Sequence, residues 1–104
     1  MSWYIKSRAE FFDVLESTIA IAKARAAHVP AFGPYQTVLA QLQAMRNWTA
    51  DGRTPEQEER DRIDIGLIAV REIDEQADDE SAEFHELLLQ LDGYFCEWPE
   101  DEPA

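Results

Sequence analysis

At 104 residues the chain has the length of one ordinary domain, and 45% hydrophobic residues with 11 aromatic side chains mark it as globular rather than disordered. Nine Lys and Arg against 22 Asp and Glu give a formal charge of −13, which argues against direct binding of nucleic acid or an anionic membrane, because phosphates would be repelled. A single cysteine, Cys96, excludes an internal disulfide and a zinc-held fold, so side-chain burial must hold the domain together.

The acidity is uneven: residues 1–52 carry five Lys/Arg and four Asp/Glu, whereas residues 53–104 carry four and 18. Glu10, Asp13 and Glu16 interrupt the apolar positions near the start, which leaves no uncharged core for a secretion signal, and no apolar run is long enough to span a membrane. A cytoplasmic protein is expected.

The first periodic segment predicts a helix from about Ser7 to Ala27. Ser7 with Glu10 three residues on forms a capping box, and Phe11, Leu15, Ile19, Ala22 and Ala26 recur on one face. Trp3 and Tyr4 extend this helix or fold back on it. Pro34 opens a second helix with Tyr35, Val38, Leu39, Leu42 and Met45 as its apolar stripe and Gln36, Gln41, Gln43 and Asn47 facing water. Asp51 and Gly52 end it. Thr54 as N-cap, Pro55 at the first helical position and Gln57 as capping-box acceptor then predict a third helix running to about Ile73. Asp78 or Asp79 caps a fourth, which carries Phe84, Leu87, Leu88 and Leu91 and is closed by Gly93. The expected fold is all-α, a small antiparallel bundle of about four helices over residues 1–96, with an acidic tail over 97–104 whose last residues are disordered.

The chemistry-bearing residues do not assemble into a catalytic pattern. His28 falls in a predicted loop and His85 in a helix beside Phe84, with no nucleophile paired to either. Glu56 and Glu59, followed by Glu75 and Asp78, resemble the paired acidic motif with which all-helical nucleoside triphosphate pyrophosphatases hold magnesium, yet the first pair sits where a helix dipole already favours acids and the second falls at a loop. The reading is therefore of a protein that is not an enzyme and needs no cofactor or metal.

The third predicted helix carries the functional expectation. A continuous helix places Ile63, Gly66, Leu67, Val70 and Ile73 inward, and turns Ile65 and Ile68 outward among Asp61, Asp64, Glu72 and Glu75. Apolar anchors inside a charged rim are the pattern of a protein-binding surface. The alternative is that this helix is buried on both faces. Leu89 and Trp48 are further candidate anchors. Gly66 in mid-helix suggests the close approach of another backbone, and Asp74 is expected to end the helix or cap its neighbour.

The run Gly66, Leu67, Ile68, Ala69, Val70, Arg71, Glu72, Ile73, Asp74, Glu75 resembles one found in a small family of bacterial immunity proteins, those that neutralise an NAD(P)-glycohydrolase effector delivered by type VI secretion. The likeness extends over Tyr35 to Leu42 and to about Leu91, whereas the first helix and the segment from Tyr94, Phe95 and Trp98 onward match nothing in that family. The resemblance implies packed helices, no catalysis and one-to-one capture of a toxin domain with its active site blocked. A dinucleotide-binding toxin is expected to present a basic cleft, which suits an acidic partner. The expected toxin contacts are Ile65 and Ile68 as anchors and Asp61, Asp64, Glu72, Glu75, Asp78 and Asp79 as rim. An acidic nucleic-acid mimic, a magnesium-dependent nucleotide pyrophosphatase and self-association through Ile65 and Ile68 stay open as alternatives.

Overall fold

The computed structural model describes residues 5–74 and 76–99. Trp3, Tyr4, Glu75 and the expected disordered end, residues 100–104, lie outside the described residues. Within them the fold is all-helical: α1 Arg8–His28, α2 Gly33–Trp48, a 3-10 turn Ala50–Gly52, α3 Gln57–Asp61, α4 Ile65–Glu72 and α5 Asp79–Glu97. Helix α1 packs on α2 and α5, and α4 packs on α5 and α2.

The helix starts with a side-chain cap lie where local chemistry put them. Ser7 accepts from the Glu10 N–H at 3.1 Å, and Asp78 accepts from the Ser81 N–H at 2.6 Å, each satisfying one orphan donor of a first turn. Most of the apolar stripe positions expected on three helices are buried, with Tyr35, Leu39 and Leu87 only partly so. Phe11, Leu15, Ile19 and Ala22 of α1, Val38, Leu42 and Met45 of α2, and Phe84, Leu88 and Leu91 of α5 form one buried cluster. Buried Thr18 and Thr49 return their hydroxyls to the carbonyls of Val14 and Met45, both at 2.7 Å.

Three expectations need correction. The third helix is not continuous: α3 ends at Asp61, and Ile63 and Asp64 lie outside helix before α4 begins. Both Ile63 and Ile65 are buried, and residues two apart in a helix point to opposite sides, so the break lets both reach one core. The start of α3 also shifts, to Glu56, whose N–H donates to the Glu59 carboxylate at 2.8 Å while Pro55 precedes the helix. Finally, Gly93 does not close the last helix. Helix α5 continues to Glu97 and ends on Trp98 in a left-handed conformation, φ 41°.

Trp98 belongs to the core rather than to a tail. Its ring meets Phe11 edge-on at 5.3 Å, Phe11 stacks on Tyr94 at 5.0 Å, and the Arg8 guanidinium lies 4.0 Å from the Trp98 ring centre. Arg8 also donates to the Tyr94 hydroxyl at 3.2 Å and to the Pro99 carbonyl. The start of α1 and the end of α5 are thereby tied together.

Helix α4 is held at its amino end by its neighbours. The Gln41 side chain of α2 accepts from the Asp64 N–H at 2.8 Å and donates to the Asp64 carboxylate, while Asp92 of α5 accepts from the Gly66 N–H at 2.8 Å. Asp92 thus caps a helix other than its own. The close neighbour of Gly66 is that carboxylate rather than a backbone: a Cβ at Gly66 would meet the Asp92 side chain at 3.1 Å. Asp92→Ala should lower unfolding free energy by about 1 kcal/mol, the usual worth of an N-cap, read from the urea midpoint.

Candidate partner-binding surface

Placing the residues of α4 around its axis reverses the expected anchors. Ile65 is completely buried, Ile68 is half-buried against the core, and Ala69 is buried beside them, whereas Leu67 is 49% and Val70 64% exposed. Ile65 and Ile68 therefore do not look outward. A continuous helix puts Ile63 and Ile73 on one face with Leu67 and Val70, but the helix is broken. Ile63 and Ile73 are buried, but both lie outside the α4 helix, so they carry no information about its orientation.

Leu67 and Val70 overhang a shallow depression of about 470 Å³ between α4 and α5, bordered by Gly66, Leu89, Asp64 and Asp92. Leu89, one of the two further candidate anchors, thus lies at the surface feature. The other, Trp48, is half-buried and stacks on Phe95 at 6.3 Å. A second depression continues past Val70 along Glu72, Asp74, Gln76 and His85.

The expected acidic rim divides by duty. Asp64 at the amino end of α4 is bonded to Gln41, and Asp78 caps α5, so both stabilise the fold. Asp61 closes α3 and accepts from Gln57 at 2.8 Å. Asp61, Glu72 and Asp79 are exposed. Asp74, expected to end the helix or cap its neighbour, lies just past the end of α4 and accepts from the Gln76 N–H at 2.9 Å. Arg71 is the last Lys or Arg of the sequence, so the six carboxylates of α5 have neither among them.

The candidate magnesium carboxylates have other partners. Glu59 is paired with Arg53 at 2.6 Å as well as bonded to the Glu56 N–H, and Asp78 is a cap. Among the described residues no three His, Cys, Asp or Glu gather at metal-binding distance. His85, expected at the surface or boundary, is buried, and His28 is exposed. Among the described residues, no helix is long and apolar enough to cross a membrane.

The surface and the fold together define a small acidic helical scaffold with an apolar depression between α4 and α5. The sequence model of the Tsi6 family matches residues 10–95, and the chain belongs to that family of type VI secretion immunity proteins. The match runs from inside α1 to Phe95, so it takes in the first helix and also Tyr94 and Phe95, which the likeness of the central run leaves out. Neither a curated protein nor a solved structure matches the chain.

Three titrating groups give measurable expectations. The Asp78 carboxyl is held below its ordinary range by hydrogen bonds from Ser81, and Glu59 is lowered by the Glu56 N–H and by Arg53. A carboxyl depressed in the folded state contributes stability above its unfolded pKa and loses it as pH falls, so the melting temperature should drop between about pH 5 and pH 3, less steeply in Asp78→Ala. Burial, with help from the Asp92 carboxylate that accepts from the Cys96 thiol at 3.4 Å, pushes Cys96 up to about 11. Its disulfide exchange with an aromatic disulfide reagent at pH 8 should be about 100-fold slower in the folded protein than in urea.

Proposed function

We propose that this chain is the immunity partner of a type VI effector whose toxin domain is an NAD(P)-glycohydrolase, and that it inhibits by covering the toxin's active site in the cytoplasm. The observation that carries the reading is membership of the Tsi6 family over residues 10–95. The charge distribution supports it: a cleft that binds a dinucleotide offers positive potential, and the second half of this chain, with 18 acids against four bases, offers the opposite. Occlusion needs no catalytic group, cofactor or metal from the inhibitor.

The exposed acids Asp61, Glu72 and Asp79 are proposed to steer the encounter, while Asp64 and Asp78 act chiefly through the fold. Glu75 is kept in the proposed rim on charge alone. Co-expression with the toxin domain should preserve growth and the cellular NAD pool, and loss of either despite soluble expression would refute the reading. Charge reversal at Asp61, Glu72 and Asp79 together should slow association by about tenfold or more at 50 mM salt, with the deficit shrinking at 0.5 M, measured by stopped-flow fluorescence.

A further inference from the structure

We propose that the depression between α4 and α5 is the socket for one apolar side chain of the toxin domain, on a segment whose flanking residues are Lys or Arg. This rests on the immunity reading above and specifies its contact.

Leu67 and Val70 account for two of the three large hydrophobic side chains exposed among the described residues, and they sit three apart on one turn of α4. Neither serves the core. The inward side of α4 is already supplied by Ile65, Ile68 and Ala69, so nothing in folding requires an apolar residue at 67 or 70. Gly66 contributes only backbone to the lining, and its N–H is bonded to Asp92, which fixes that part of the wall.

The chemistry at the rim selects a protein side chain over a small ligand. A small-molecule site needs polar groups converging on its occupant, whereas here the Asp64 carboxylate is engaged by Gln41 and the Asp92 carboxylate by Gly66 and Cys96. Their negative charge remains. With Asp64 and Asp92 at the border and Glu72 beyond Val70, an incoming apolar residue is accepted most readily when its neighbours are cationic. A volume of about 470 Å³ in an open, shallow form suits one bulky side chain of a protruding loop.

The test is isothermal titration of the full-length chain with the purified toxin domain, using Val70→Glu and Leu67→Ser. Val29→Glu serves as a control, at the third exposed hydrophobic position, which lies in the link between α1 and α2. Because residues 67 and 70 are exposed, both variants should keep wild-type helicity and melting temperature. Each should weaken binding by about 30-fold or more, the loss characteristic of a central anchor, while Val29→Glu stays within about twofold. Wild-type binding with both folded variants within threefold of it overturns the socket and leaves the immunity reading standing. No binding by the wild type overturns the immunity reading and the socket with it. A wild-type dimer in sedimentation equilibrium that Val70→Glu converts to monomer assigns the depression to a second copy of this chain, and equally overturns the proposal.

Discussion

The bracket at the amino end of α4 is the constraint on which the rest of the surface depends. Gln41 takes the Asp64 N–H that a continuous helix would have used internally, and Asp92 takes the N–H of Gly66. Those bonds end one helix, start the next and set its rotation about its own axis. Once the rotation is set, Ile65 and Ala69 must be inside, and Leu67 and Val70 must be outside. Burying one isoleucine and exposing one valine are therefore two results of the same placement.

The acidic composition acquires different meanings in different places. Asp78 and Asp92 are spent on helix amino termini, where the partial positive charge of the first turn favours a carboxylate, and Asp64 is spent on Gln41. Glu59 neutralises Arg53, and Glu58 pairs with Arg62 at 2.8 Å, so two of the four basic residues in the second half are already matched. What faces outward is a net negative field around an apolar depression. Such a field speeds encounter with a basic partner, while the apolar contact determines how long the partner stays.

The closure of the two ends by aromatic packing explains why α5 outlasts its glycine. Tyr94, Phe95 and Trp98 each bury a ring, and Arg8 covers the outermost of them. Their combined burial outweighs the roughly 1 kcal/mol by which Gly93 disfavours helix relative to alanine. The helix stops only at Trp98, where a positive φ turns the chain and directs the Pro99 carbonyl to Arg8.

Local information determined the helical class, the Ser7 and Asp78 caps, and the inward faces of α1, α2 and α5, because caps and a 3.6-residue period act within a few neighbouring positions. Of the proposed site, the acidic half and the candidate Leu89 were also legible. The break after Asp61, the reach of α5 to Glu97 and the exchange of Ile65 and Ile68 for Leu67 and Val70 were decided by tertiary structure. Their causes lie far off in the chain: Gln41 is 23 residues from Asp64, and Asp92 is 26 from Gly66. Periodicity within an eight-residue apolar segment such as α4 leaves its rotation nearly free, and only partners brought in by folding choose which of its hydrophobic residues meet water.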